Sequence, residues 1–356
     1  MNTRATQSCA PLRAPPGHWL LQAPGLAVLI HRRGAWAGTL LTFVILLTTY
    51  IALAYGTPWL SPHEVLAAIS GSGDPIQAFM IRELRLPRMA AGFLSGAALG
   101  IGGCLLQTLA RNRLATPGII GIDDGATAFA VASMVAVPTT LAPPVLALAG
   151  AATAAAVAFG LGGGGARGYR FIVVGIAVGA LFGAITNFML ARTGIDSANL
   201  AYPWTVGSLN ARSMPTVMLL AACLTVCLPV AKLLGRELQL LRFSEAIAIG
   251  LGSRVRRTRI AILAVTVVLT ATAVSVAGPV GLVALAAPEI ARHLTRQRGV
   301  PVITSGLAGA ALMMGADWVG RTAFMPVEIP VGVITAVVGG PYLLWILLRE
   351  PRRSGT

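Results

Sequence analysis

The chain is 356 residues long, 56% hydrophobic and only 11% charged, with a net charge of +15 from 27 Lys+Arg against 12 Asp+Glu. An ordinary soluble domain carries about 25% charged residues. So little charge cannot solvate a water-facing surface of this size. That excludes a disordered chain, a disulfide scaffold and almost any soluble enzyme, and it makes lipid the solvent for most of the chain.

Residues 1–37 form a basic, proline-containing tail. Its apolar run, 19–30, is short for a span, and it lacks the tight charge–apolar–small-residue order of a cleaved signal peptide. The tail reads as an interfacial or loose cytoplasmic segment. From there, apolar runs near 20 residues with few or no charges mark membrane crossings, because about 20 residues at 1.5 Å rise traverse the hydrocarbon core. The runs are 38–55, 89–110, 118–137, 144–161, 171–191 and 213–231, then 260–288, which Gly278-Pro279 divides in two, and finally 302–320 and 329–348. The prolines of 138–144 separate the third from the fourth. The expectation is an all-α integral membrane protein of ten transmembrane helices over 38–348, with 349–356 as a cytoplasmic C-terminal tail.

With the amino terminus inside, 21 of the 27 basic residues fall in cytoplasmic segments. The reversed topology inverts this bias, so the inside amino terminus is favoured. Arginines set between apolar runs serve topology, and nucleic acid is not an expected partner.

Two glycine ladders recur every four residues. Gly92, Gly96 and Gly100 lie in the second span; Gly175, Gly179 and Gly183 lie in the fifth and continue into Asn187 on the same face. Such faces let helix backbones approach closely in lipid. Packing alone explains the first ladder. The second, ending in an amide, is a candidate lining for a translocation path. The longest inside loop, 234–258, mixes Glu237, Arg242, Glu245 and Arg254 with apolar Phe243 and Ile247, and Gly250 and Gly252 close its short amphipathic helices. It reads either as a helix lying on the membrane or as a docking surface for a cytoplasmic partner.

Cys9, Cys104, Cys223 and Cys227 give no disulfide framework and no metal-ligand spacing. A Gly-x-x-x-x-Gly-Lys-Ser/Thr loop, His-Glu-x-x-His and Gly-x-Ser-x-Gly are all absent. No catalytic residue, metal site or bound cofactor is therefore expected, and an intramembrane enzyme lacks a constellation to work with. An ion-coupled carrier needs embedded carboxylates. The candidates sit badly for it: Asp123 and Asp124 near the inner start of the third span, Glu289 one turn from Arg292 and His293, and Asp317 one turn before Arg321. Outside basic residues are few. Arg82, Arg85 and Arg88 crowd the mouth of the second span and Arg321 ends the ninth. A positive outer rim attracts acidic patches.

Several ordered motifs resemble the FecCD-type permeases, the membrane subunits of bacterial ABC importers for iron–siderophore complexes, haem and vitamin B12. They are Arg85-Leu-Pro-Arg88, Gly96-Ala-Ala-Leu-Gly100, the 106–118 run LQTLARNRLATPG, Trp204-Thr-Val-Gly-Ser-Leu-Asn210, the 250–257 loop, 277–283 (AGPVGLV) and 329–335 (IPVGVIT). The 169–176 run and 204–210 look closest to the ferric-enterobactin branch. Two positions depart from the pattern: Glu289 stands where many relatives carry histidine, and Arg113 stands where Asn-Pro-Leu is common.

The resemblance implies a multi-pass permease of the bacterial cytoplasmic membrane that works as a dimer of permeases, either two copies of this chain or, as the branch resemblance favours, a heteromeric pair with a related chain. It implies that ATP and magnesium bind to separate ATPase subunits, which dock on the 234–258 element. It also implies that an extracytoplasmic substrate-binding protein meets Arg85, Arg88 and Arg321. The fifth helix, on its Gly175/Gly179/Gly183/Asn187 face, is then expected to line the path. The expected cargo is a ferric siderophore, with vitamin B12 or haem as the alternative within the fold and an ion-coupled secondary transporter as the alternative outside it.

Overall fold

The computed structural model describes residues 17–23, 26–55, 59–135, 143–162, 169–210, 212–242, 245–296 and 299–349. A short antiparallel hairpin leads, β1 (His18–Ala23) against β2 (Leu26–His31), with His18 opposite His31. The apolar run 19–30, read as interfacial or loose, lies within this hairpin. The first helix then begins at Arg32, earlier than the expected tail boundary, with the His31 ring capping the Gly34 N–H.

The helices follow in chain order: α1 (Arg32–Ala54), α2 (Pro62–Ser70), α3 (Pro75–Phe79), α4 (Leu86–Ala110), α5 (Ile122–Val135), α6 (Pro143–Leu161) and α7 (Tyr169–Ala191). Then come α8 (Ile195–Val206), α9 (Met214–Leu241), α10 (Glu245–Gly250), α11 (Val255–Ala277), α12 (Gly281–Thr295), α13 (Val302–Thr322) and α14 (Val331–Arg349). A π-helical stretch, Met80–Arg85, fuses α3 to α4, and a 3-10 turn, Pro117–Ile120, precedes α5. Each of the ten expected spans meets a helix. Among the described residues seven are long and apolar enough to cross a membrane.

The shorter ones have a physical cause. The 14 residues of α5 extend about 21 Å, less than a hydrocarbon core of about 30 Å. The 15 residues of α12 start only after the break at Gly278, whose φ of +74 ends α11 where the Gly-Pro pair predicts it. Two helices on the outer side, α2 and α8, carry no hydropathy signal. Ser61 and Glu64 form a reciprocal capping box that starts α2.

The core is built on α4, which packs against α9, α11, α12 and α13. Its glycines are the reason. A Cβ on Gly96 would fall 2.4 Å from the Gly309 carbonyl oxygen, one on Gly100 2.2 Å from that of Ser305, and one on Gly103 1.9 Å from that of Ala284. The first ladder is therefore a packing seam, where backbone meets backbone. A second cluster joins α5, α6, α8 and α11 around Ile122, Ala126, Ala151, Trp204 and Val274.

Candidate functional site

At the outer end, the three arginines expected to form an open rim are turned inward. The last four carbonyls of a helix lack intrahelical donors. At the C-terminus of α1 all four find one: Ile51 from the Tyr55 N–H, Ala54 from the Leu60 N–H, Leu53 from Arg85 Nη1 at 2.5 Å, and Ala52 from Arg321 Nη2 at 3.5 Å. Cations suit this negative end of the helix dipole. Arg88 makes a forked contact with Asp317, Nε and Nη2 donating to Oδ1 at 3.0 and 2.9 Å, while Nη1 donates to Glu328 at 3.0 Å. Arg321 Nε stands 3.6 Å from the other Asp317 oxygen. Asp317 is 2% exposed, and Arg85 is buried. The sequence pair Asp317–Arg321 is thus real, but it belongs to a strut joining α1, α4 and α13, and not to a docking rim. The outward-facing cation at this corner is Arg82, exposed and donating to the Ile69 carbonyl.

Beside the strut lies an outward cavity of about 480 Å³. The start of α6, the end of α8, the 208–213 turn and the α13–α14 connection form its walls.

The fifth-span ladder is only partly exposed. A Cβ on Gly175 would meet the Ile119 carbonyl oxygen at 2.4 Å, and one on Gly179 would meet Asp124 Oδ2 at 2.7 Å. Both are buried against the 3-10 turn and α5 of the same chain, so neither faces a path. Gly183 is half-buried and Asn187 exposed. The exposed face of α7 near them carries Ala177, Ala180 and Ala184, small residues that periodicity alone did not single out.

The same packing relocates Asp123 and Asp124. Both sit in the first turn of α5, as expected of residues that open a helix, and favour its positive end. They do not sit near the inner face. Asp124 touches α7 beside Gly179, ten residues beyond Tyr169 and so roughly 15 Å along that helix. The 3-10 turn brings the chain against α7 at Gly175 before α5 begins. Asp123 Oδ1 is buried and has no hydrogen-bond partner among the described residues.

On the inner side, the 234–258 element is half an extension of α9, which runs to Leu241, and half the short α10 with its following turn. Glu237 accepts from the Ser253 hydroxyl at 3.0 Å, and Glu245 pairs with Arg259, so α9, α10 and α11 are tied to one another. Gly250 ends α10, as its position predicts, and Gly252 takes a φ of +83. Ala248 is buried, while Ile247, Ile249 and Leu251 are 50–64% exposed. Arg242 and Arg254 are exposed beside them; Phe243 lies outside the described residues.

Glu289 is buried, and it organises the inner end. Arg292 donates to it at 3.0 and 2.7 Å, His293 Nδ1 lies 3.2 Å away, and Arg113 reaches it at 3.4 Å. Arg292 also donates to Gln107 Oε1, whose amide in turn donates to the Leu285 carbonyl. The local pairing expected around Glu289 is present.

Residues 43–349 match the FecCD transport family. The achromobactin transport system permease protein CbrC of Dickeya dadantii is 34% identical over 338 residues, 91% of this chain and 97% of that protein. The ferric enterobactin transport system permease protein FepG of Escherichia coli is 34% identical over 85% of this chain and 92% of its own length. The Fe(3+)-citrate import system permease protein YfmE of Bacillus subtilis is 33% identical over 91% and 98%. Among solved structures, a metal-chelate type ABC transporter in an inward-facing conformation superposes with a TM-score of 0.79 and 24% identity, over 89% of this chain and all of that one.

Proposed function

The chain belongs to the FecCD transport family, and from that premise we propose that it is the permease subunit of a bacterial ABC importer that carries an iron(III)–siderophore complex across the cytoplasmic membrane. The observation that carries this reading is the near full-length similarity to permeases named for achromobactin, ferric enterobactin and ferric citrate. Those names favour iron(III) chelates over vitamin B12 or haem as cargo. The chain hydrolyses nothing itself. It crosses the bilayer ten times with both ends inside, α5 and α12 being the short crossings.

ATPase subunits dock on the cytoplasmic element around α10. Its exposed Ile247, Ile249 and Leu251 are an apolar tip on a base fixed by the Glu237–Ser253 and Glu245–Arg259 contacts. A rigid base transmits movement, whereas a loose tether would absorb it. ATP-driven change in the partner then switches the permease pair between outward- and inward-open states. A second permease chain, of a related sequence, completes the path, with the Gly183/Asn187 end of α7 along it. The extracytoplasmic binding protein meets the outer face at Arg82.

The test is radioiron uptake by vesicles holding the permease pair, the ATPase and the binding protein. Uptake is expected to require ATP inside and to continue when an uncoupler collapses the proton gradient. Uptake that stops with the gradient while ATP remains would replace the importer with an ion-coupled carrier.

A further inference from the structure

The outer cavity of about 480 Å³ holds one guanidinium that the strut does not use. Arg212 lies in the turn between α8 and α9. Its Nε and Nη2 both donate to the Ser208 carbonyl, at 3.1 and 2.8 Å, and its plane stands 4.3 Å from the centre of the Trp204 ring. Asp317 and Glu328, the carboxylates of the same cavity, are both held by Arg88, and Asp317 also by Arg321. Three cations therefore answer two anions, and the surplus positive charge is that of Arg212. No carboxylate is in ion-pair contact with it among the described residues.

A carbonyl and an aromatic face satisfy part of a guanidinium and leave Nη1 unspent. The site is also costly. Burial alone pulls the Arg212 guanidinium well below its usual range, to about 10, with no carboxylate contributing. An anion placed beside it would favour the charged form. The polar atoms around it are neutral: the Ser208 and Ser213 hydroxyls and the Asn210 amide. Apart from the strut's own charged groups, the rest of the wall is apolar: Trp204, prolines, and aliphatic side chains such as Leu200, Leu209 and Ile329. A mostly apolar cavity with a few convergent donors and one displaced pKa has the composition of a small-molecule site.

We propose that the Arg212–Trp204 pair is a receptor for the anionic oxygens of the incoming chelate, so that the permease selects negatively charged iron complexes at its outer mouth. This rests on the importer reading above and adds the charge class of the cargo. Arg212 binds; it does not react. The Trp204 ring and the Ser208 carbonyl together fix the guanidinium plane, so Nη1 is the donor left for a ligand. A phosphate of a lipid headgroup offers the same oxygen chemistry. The cavity opens between the outer loops and is walled by Asn210, Ser213 and Arg88, which favours a soluble chelate over a lipid.

The test is equilibrium dialysis of radioiron-labelled ferric citrate, which is anionic, and of a neutral ferric tris-hydroxamate, against the permease in phosphatidylcholine nanodiscs. Wild type is expected to retain the citrate complex in preference, and to lose it as salt rises. Arg212→Gln is expected to weaken citrate retention by about tenfold or more, the scale of one charged hydrogen bond, and to leave the hydroxamate within about twofold. Arg212→Lys keeps the charge without the fork and should fall between; it also serves if Arg212→Gln folds poorly. Equal retention of the two complexes by wild type, or unchanged citrate retention in a folded Arg212→Gln, overturns the receptor. Displacement of the citrate complex by added phosphatidylglycerol assigns the site to lipid and overturns it too. In the assembled importer, ATP-driven uptake of an anionic chelate that is unchanged in Arg212→Gln removes the receptor and leaves the permease reading standing. Uptake without ATP removes that reading instead.

Discussion

The Asp317 carboxylate is the place where the outer strut is most exposed to test. Asp317→Asn keeps the size of the side chain and removes one charge. In the native strut the carboxylate takes three contacts from Arg88 at 2.9–3.1 Å and faces Arg321 at 3.6 Å, and the side chains are only 2–14% exposed. A unit-charge pair near 4 Å interacts by about 4 kcal/mol at an effective dielectric of 20. Removing one partner of a buried pair costs about 3–5 kcal/mol, because the remaining charge stays desolvated. Here two guanidiniums, Arg88 and Arg321, lose their shared anion, and Arg85 stands nearby with the same sign; Glu328 at 48% exposure offers weak compensation. The expected loss is therefore at the upper end, about 5 kcal/mol, and should be read as a lowered melting point of the detergent-solubilised chain. Arg88→Met/Asp317→Leu, which removes that pair but still leaves Arg321 without its anion, should recover part of it. Because the pair is buried, 0.5 M salt should change the difference little. A melting point for Asp317→Asn within the error of wild type would refute the strut and restore these arginines to a solvent-screened rim.

The remaining expectations concern packing, coupling, docking and the inner network. Gly103→Ala places a Cβ 1.9 Å from the Ala284 carbonyl oxygen, so α4 and α12 must part; a loss of about 2–4 kcal/mol is expected from overpacking and the strained Gln107 bonds, while Gly315→Ala, with open space at its Cβ, should melt like wild type. Ile247→Glu on α10 puts a charge into the apolar docking tip, and ATPase co-purification should fall with the melting point unchanged; intact co-purification removes the docking role. Arg82→Glu should weaken capture of the binding protein, most clearly at low salt, without affecting stability, and equal capture would place that protein elsewhere. Glu289→His should cost about 3–5 kcal/mol, since Arg292 loses a buried partner, whereas Arg113→Asn should cost at most about 1 kcal/mol, its side chain being 57% exposed; melting points of the two variants check the asymmetry.

What the sequence made legible was set by local chemistry. A run without charge has few fates in lipid, so every expected span found a helix. Gly278-Pro279 cannot continue one, so α11 ends there. The α8 helix was missed because 195–206 mixes Asp196, Asn199 and Pro203 with apolar residues at no helical period. The Ser61–Glu64 capping box was readable and marks α2, but hydropathy does not see it. The inward turn of Arg85 and Arg321 had no local sign at all. What draws them in is a set of carbonyls at the end of α1, which lies far from Arg321 in the chain. The depth of Asp123 and Asp124 was hidden in the same way. Nothing in the 111–121 run states that the chain packs well along α7 before α5 starts; Gly175 and Gly179, by admitting the 3-10 turn and α5 against α7, make the room for it.

The two departures from the family pattern become one fact in the structure. Glu289 replaces a common histidine and Arg113 replaces a common Asn-Pro-Leu residue, and the two side chains meet at 3.4 Å. A buried carboxylate needs cations, and Arg292 at 2.7 Å with His293 at 3.2 Å already supplies most of that need. Arg113, largely exposed, adds little attraction of its own. Its value is in balance: Arg111, Arg113, Arg242 and Arg292 line one inner cavity of about 280 Å³, and Glu289 is the carboxylate set against them. A histidine at 289 would leave that cavity with no anion among these groups, which would be tolerable only with fewer arginines. The inner end keeps its topological positive charge while its buried centre stays neutralised.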